Sequence, residues 1–165
     1  MKHSSVSTVV HRLAAFAVGA AVLFGAAAQL QAAGAHHTVV AAEDIKFGPA
    51  PPSLPPGAQA AVLLGNPAKE GPFVLRLRFP AGFVVPPHRH SKDEVVTVMA
   101  GRFGIGTGET VDRALVRALE PASFIHLPGG MPHYATADVE TIVQINGVGP
   151  FDVVYVNPKD DPRNR

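Results

Sequence analysis

An all-β domain, a sandwich or barrel of short strands, is what this sequence predicts, on three observations. Gly and Pro number 16 each in 165 residues, which supplies turn chemistry at short intervals. FVLRLRF, residues 73–79, alternates strictly, with Phe73, Leu75, Leu77 and Phe79 on one face and Val74, Arg76 and Arg78 on the other, as in a half-buried strand. Further short β-rich runs follow at close spacing between turn signals, the habit of a sandwich or barrel.

Taken in order, TVVAAEDIKF (residues 38–47) and AQAAVLLG (58–65) read as strands, separated by the turn-rich PAPPSLPPG. PPHRH continues from FVLRLRF on another strand, EVVTVMA (94–100) is β-rich up to Gly101, and RFGIGTG reads as a short strand and turn. DRALVRALE (112–120) spaces its apolar residues as a helix would. ASFIHLP, HYATA, TIVQING and FDVVYV (151–156) close the domain as short strands, and the polar NPKDDPRNR is expected to be loose. No internal repeat is visible. Residues 36–157 are expected to form one domain, followed by a C-terminal tail at 158–165.

The first 35 residues differ in kind. Lys2, His3, His11 and Arg12 precede a 16-residue apolar run, LAAFAVGAAVLFGAAA, and small residues follow it. A basic start, an apolar middle and an Ala-rich end are the parts of a secretory signal peptide, with Ala28, Ala33 and Ala35 all eligible to precede the cut. The run is short for a bilayer span, so a retained membrane anchor is the weaker alternative. No Arg-Arg pair points to the twin-Arg route, and no cysteine is available for a lipid anchor. The expected location is therefore periplasmic or secreted.

Composition excludes several classes of function. Without cysteine there are no disulfides, thiolate metal sites or cysteine nucleophiles. Removing residues 1–35 takes Lys2 and Arg12 from a chain of net charge +1 and leaves −1. A near-neutral domain has no electrostatic footprint for nucleic acid and no polybasic segment for anionic lipid. Neither nucleic acid nor, after signal cleavage, a membrane is an expected partner; a small molecule is. No serine stands in a Gly-x-Ser-x-Gly elbow. GIGTG (104–108) lacks the glycine spacing of a phosphate loop and reads as a hairpin turn.

The chemistry concentrates in PPHRHSKDE, residues 86–94. On a strand, His88 and His90 point the same way, and Glu94 shares their parity. An isolated His-x-His is ordinarily a pair of surface residues. Here a second turn, LPGGMPH, ends at His133 and can present a third imidazole beside the first strand.

The spacing Gly82, five residues, His88, one residue, His90, three residues, Glu94, six residues, Gly101 resembles the first motif of the cupins. Pro128, Gly130 and His133 resemble the second. Two positions depart from the pattern: Ala122 stands where a glycine usually opens the second motif, and Ala137 where an asparagine usually closes it. The motifs and the hairpin between them cover residues 82–137.

The resemblance implies an all-β cupin domain, a small jelly-roll barrel, with a metal inside held by His88, His90, Glu94 and His133. Three imidazoles and a carboxylate suit one divalent transition ion, Mn, Fe, Co, Ni, Cu or Zn, and leave up to two positions of an octahedron open. Val96 and Val98, on the inner face after Glu94, would form a dry wall. Cupins that keep all four ligands have oxygenation as a common precedent, and Glu94 is a candidate base. The alternatives are a non-enzymatic module that binds a small ligand or senses metal, and a purely structural ion. Cupins often pair through an edge strand, so a homodimer is an expected partner state.

His126 shares a face with Phe124 and Pro128, so it is a candidate to touch substrate, an outward position being the competing reading. Gln144, a polar residue in the apolar TIVQING, is a second candidate. Tyr134 should point away from its neighbour His133 and be structural. Arg76 and Arg78 read as solvated outer-face residues.

Overall fold

Eleven strands and four short 3-10 turns make up the residues that the computed structural model describes, 37–165. There is no α-helix among the described residues, and every strand pair is antiparallel. The expected leader, residues 1–35, lies outside the described residues, and no described helix is long and apolar enough to cross a membrane.

One sheet has six strands: β1 (Gly48–Pro49), β2 (Gln59–Leu64), β3 (Gly71–Phe79), β10 (Thr141–Gly149), β5 (Glu94–Ala100) and β8 (Phe124–Leu127), in that spatial order. The other has five: β11 (Val154–Tyr155), β4 (Phe83–Arg89), β9 (His133–Ala137), β6 (Phe103–Thr107) and β7 (Arg117–Leu119). From β3 to β6 the chain changes sheet at every turn, so the two sheets face one another as a jelly roll. The core lies between them. The four alternate apolar residues of FVLRLRF are all buried in it, as are Val96 and Val98. Phe79 of the six-stranded sheet stacks on Phe83 and Phe103 of the other, with ring centroids 4.9 and 6.4 Å apart. Each such buried ring contributes roughly 1.5–3 kcal/mol.

On the outer face, Arg76 donates to Gln144 and Arg78 lies 4.1 Å above the ring of Phe47. Gly101 closes the β5–β6 turn at φ 76°, where a Cβ would come within 2.1 Å of the Glu140 carbonyl oxygen. This is the physical reason the turn needs glycine.

Several expected elements differ. TVVAAEDIKF pairs with nothing and is extended around a 3-10 turn at Ala42–Asp44. DRALVRALE is not a helix. Its apolar face has no core to meet, Leu115 stays exposed, and residues 117–119 pair with β6 instead. GIGTG is not a hairpin turn: Gly104 and Gly106 lie inside β6, where the ring of Tyr134 leaves no room for a Cβ on Gly106 (2.1 Å). FDVVYV contributes only Val154–Tyr155 to the sheet. The tail is ordered into two 3-10 turns, Pro158–Asp160 and Pro162–Asn164, with the Arg163 guanidinium on Asp161 and on the Val153 carbonyl.

Candidate metal centre

The register of β4 decides where its histidines point. Val85 is opposite Ala135 and His88 opposite His133, so three steps on β4 match two on β9. The extra residue is a β-bulge at Pro86–Pro87, a place that suits prolines because they lack the N–H that a ladder would use. Phe83 and Val85 face the core on odd positions. After the bulge the parity switches, so His88 and His90 face inward while Arg89 turns out to Glu109. Without the bulge both histidines would be outside.

His88 and His133 come from one sheet, Glu94 begins β5 in the other, and His90 sits at the bend between them. All four side chains are buried. The ligand nitrogens of His88, His90 and His133 lie within 4.8 Å of one another. A Glu94 carboxylate oxygen is 3.4 Å from Nε2 of both His90 and His133.

Each imidazole is oriented by a backbone carbonyl at Nδ1. His88 donates to Pro86 (2.8 Å), His133 to Met131 (3.0 Å) and His90 to Asp152. A donated Nδ1–H fixes the tautomer and turns Nε2 inward as the ligating atom. Nε2 of His90 is buried without a hydrogen-bond partner. A buried polar atom left unpaired is costly, and a cation among three such nitrogens and a carboxylate would satisfy it. The residues therefore fit a divalent ion.

Burial, with the neighbouring His133 and His90, pushes the His88 pKa down to about 3, so this imidazole is neutral and ready to ligate. Burial also lowers His90, but the Glu94 carboxylate facing its Nε2 outweighs it and raises its pKa. For Glu94 burial alone would raise the value, yet the facing imidazoles of His133 and His90 bring it down to about 2. A carboxylate held that low stays ionised and is a poor match for a base working near neutral pH.

The sequence candidates for substrate contact do not reach this centre. His126 is exposed on the outer face of β8, where Nε2 pairs with the Asp93 carboxylate at 2.9 Å, because Leu127 takes the inward position. Gln144 also faces out, accepting from Arg76 and donating to Asn146, since Val143 and Ile145 line the inside. Tyr134 is structural: its hydroxyl donates to the Asp112 carbonyl and accepts from the Asp112 N–H.

Other residues shape the site without a sequence signal of their own. The Asp152 carboxylate accepts from both the N–H and the hydroxyl of Ser91, at 2.8 Å each, which places its carbonyl on His90. Phe151 stacks on the His90 ring (4.2 Å, 20°). Asp93 accepts from Gly129 N–H, and Gly130 N–H donates to the His90 carbonyl, so the two motif turns are tied together. The centre opens into a cavity of about 510 Å³.

This fold and the convergence of three buried histidines and a carboxylate define a cupin whose histidines could hold a metal ion. The chain belongs to the ChrR cupin-like domain family, whose model matches residues 35–145. No curated protein matches the sequence. Among solved structures, the polyketide cyclase RemF from Streptomyces resistomycificus is similar at 18% identity and TM-score 0.63, covering 77% of this chain and 90% of its own. A candidate acetylacetone dioxygenase from Methylibium petroleiphilum PM1 is similar at 16% identity and TM-score 0.59, covering 78% and 86%. A salicylate 1,2-dioxygenase from Pseudoaminobacter salicylatoxidans, solved in complex with gentisate, is similar at 14% identity and TM-score 0.52, covering 64% of this chain and 31% of its own. At these identities the likeness shows the cupin fold.

Proposed function

We propose that this protein is an exported metal-dependent cupin that oxidises a small molecule with dioxygen at a single divalent transition ion. The observation that carries this reading is the set of three inward Nε2 atoms, one of them unpaired, beside a carboxylate at the inner end of an apolar cavity. His88, His90, His133 and Glu94 would hold the ion, which would supply a Lewis-acidic, redox-capable centre with coordination positions left over. Glu94 reduces the net charge of the centre, and its low pKa favours ligation over proton transfer. Val85, Val96 and Leu75 keep bulk water from the walls, which strengthens every charge interaction at the centre. The dioxygenases among the similar folds give this reaction class a precedent.

The test is dioxygen uptake by protein reconstituted with iron(II), against phenols, thiols and diketones. Uptake that disappears in His88→Ala supports the reading. A second reading, a ligand-binding or metal-sensing module, is favoured by one observation: among the described residues, no ionisable side chain lines the cavity apart from the four of the centre. Binding of a panel member without dioxygen uptake would select it.

Export rests on the basic, apolar and Ala-rich segments of residues 1–35. N-terminal sequencing of protein from the cell envelope or medium should find a start after Ala28, Ala33 or Ala35; an intact Met1 would oppose it. Pairing of two copies along a sheet edge belongs to the same proposal and is read by light scattering in solution.

A further inference from the structure

The cavity wall restricts what can occupy the centre. Its polar side chains outside the four residues of the centre are Ser53 and Asn66, both in loops. Leu75, Leu77, Val143 and Ile145 from the six-stranded sheet, with Ile105 and Ala135 from the other, are representative of the rest. The arginines of β3 cannot help a ligand. Arg76 and Arg78 alternate with Leu75 and Leu77 and so stand on the opposite face of the sheet. A volume of about 510 Å³ is in the usual range for a small-molecule site, but those sites ordinarily include a few polar groups that fix orientation. Here the side chains supply almost none away from the centre.

Resting on the metal reading above, we propose that the ligand is an uncharged, largely apolar molecule bearing two neighbouring oxygens, such as a catechol or an enolised diketone. The wall supplies affinity through apolar area, and the two oxygens supply orientation by chelating the ion at the positions the four side chains leave open. A carboxylate, sulfonate or phosphate elsewhere on the ligand would be buried without a partner, at a cost that an uncharged ligand does not meet.

The experiment compares two probes with the same chelating head, catechol and 3,4-dihydroxybenzoate, by anaerobic calorimetry on zinc-loaded protein whose metal content is measured in parallel. With one zinc per chain, catechol should bind at least about tenfold more tightly, the equivalent of about 1.4 kcal/mol. Val62→Arg introduces a cation into the cavity wall at a position that is 53% exposed and tolerant of a long side chain. That variant should narrow or reverse the preference. One zinc per chain with equal or tighter binding of 3,4-dihydroxybenzoate to the unaltered protein would overturn the inference and leave the metal centre standing. Protein that retains no zinc would overturn the metal reading and this inference with it.

Discussion

At the scale of single residues, two positions show what the site and its turns demand. Ala122 adopts φ 70°, the left-handed region an L side chain rarely enters, because the turn before β8 keeps a geometry suited to glycine. The conformation costs roughly 1–2 kcal/mol, and glycine's extra freedom when unfolded returns about half of that. Ala122→Gly is therefore expected to stabilise the domain by about 0.5–1 kcal/mol in urea denaturation; a loss of stability would show that the turn is held by something else. The departure from the motif was visible in the sequence, but the retained backbone geometry was not. The second position is His88. In metal-free protein it stays neutral down to about pH 3, whereas the unfolded chain takes up a proton near 6.5, so stability falls as pH drops below about 6.5. His90 acts in the other direction: its raised pKa contributes stability that is present below 6.5 and is lost as pH rises through the folded value. Glu94 adds a further acid loss between about 4.5 and 2. Thermal melts of chelated protein should peak near pH 6.5, and His88→Asn should remove the decline between 6.5 and 4.5. An unchanged decline in that variant would contradict the assignment.

Elements rather than isolated side chains set the geometry of the centre. The Pro86–Pro87 bulge turns His88 and His90 inward, and the segment after β10 holds His90 through the Asp152 carbonyl and the Phe151 ring. Ser91→Ala or Asp152→Ala should loosen that carbonyl and weaken zinc binding about tenfold in competition with a chelator, a typical effect for groups that orient a ligand. The melting temperature of the metal-free protein should change little; an unchanged zinc affinity would show that the His90 ring needs no such support. Much of this level was legible in advance. EVVTVMA and HYATA coincide with β5 and β9, and the alternation of FVLRLRF put the correct face inside, because period-two patterns reflect burial directly. DRALVRALE misled because helical spacing carries no information about whether a core exists for that face, and pairing with β6 prevailed. Asp152 and Phe151 were hidden for another reason. A ring packed on a histidine and a main-chain carbonyl some sixty residues downstream leave no local pattern.

For the whole molecule, two facing sheets enclose an apolar cavity whose four ionisable side chains all converge at one place. The spacing of the two motifs announced the four residues, while for His126 and Gln144 the inward and outward readings both stood open in the sequence, because one step of register decides inside from outside. A ligand that binds only the folded state stabilises it by mass action, about 2.7 kcal/mol at one hundred times its Kd. Chelation of loaded protein should thus lower Tm by several degrees, to about 10 °C. An unchanged Tm would mean that no ion is bound to the fold. The most direct measurement is an anomalous difference map from a crystal grown with zinc or cobalt. The expected result is one strong peak about 2.0–2.2 Å from Nε2 of His88, His90 and His133 and from a carboxylate oxygen of Glu94. A map with no peak between those four side chains, or with its strongest peak at the exposed His37, would contradict the metal centre on which the functional reading stands.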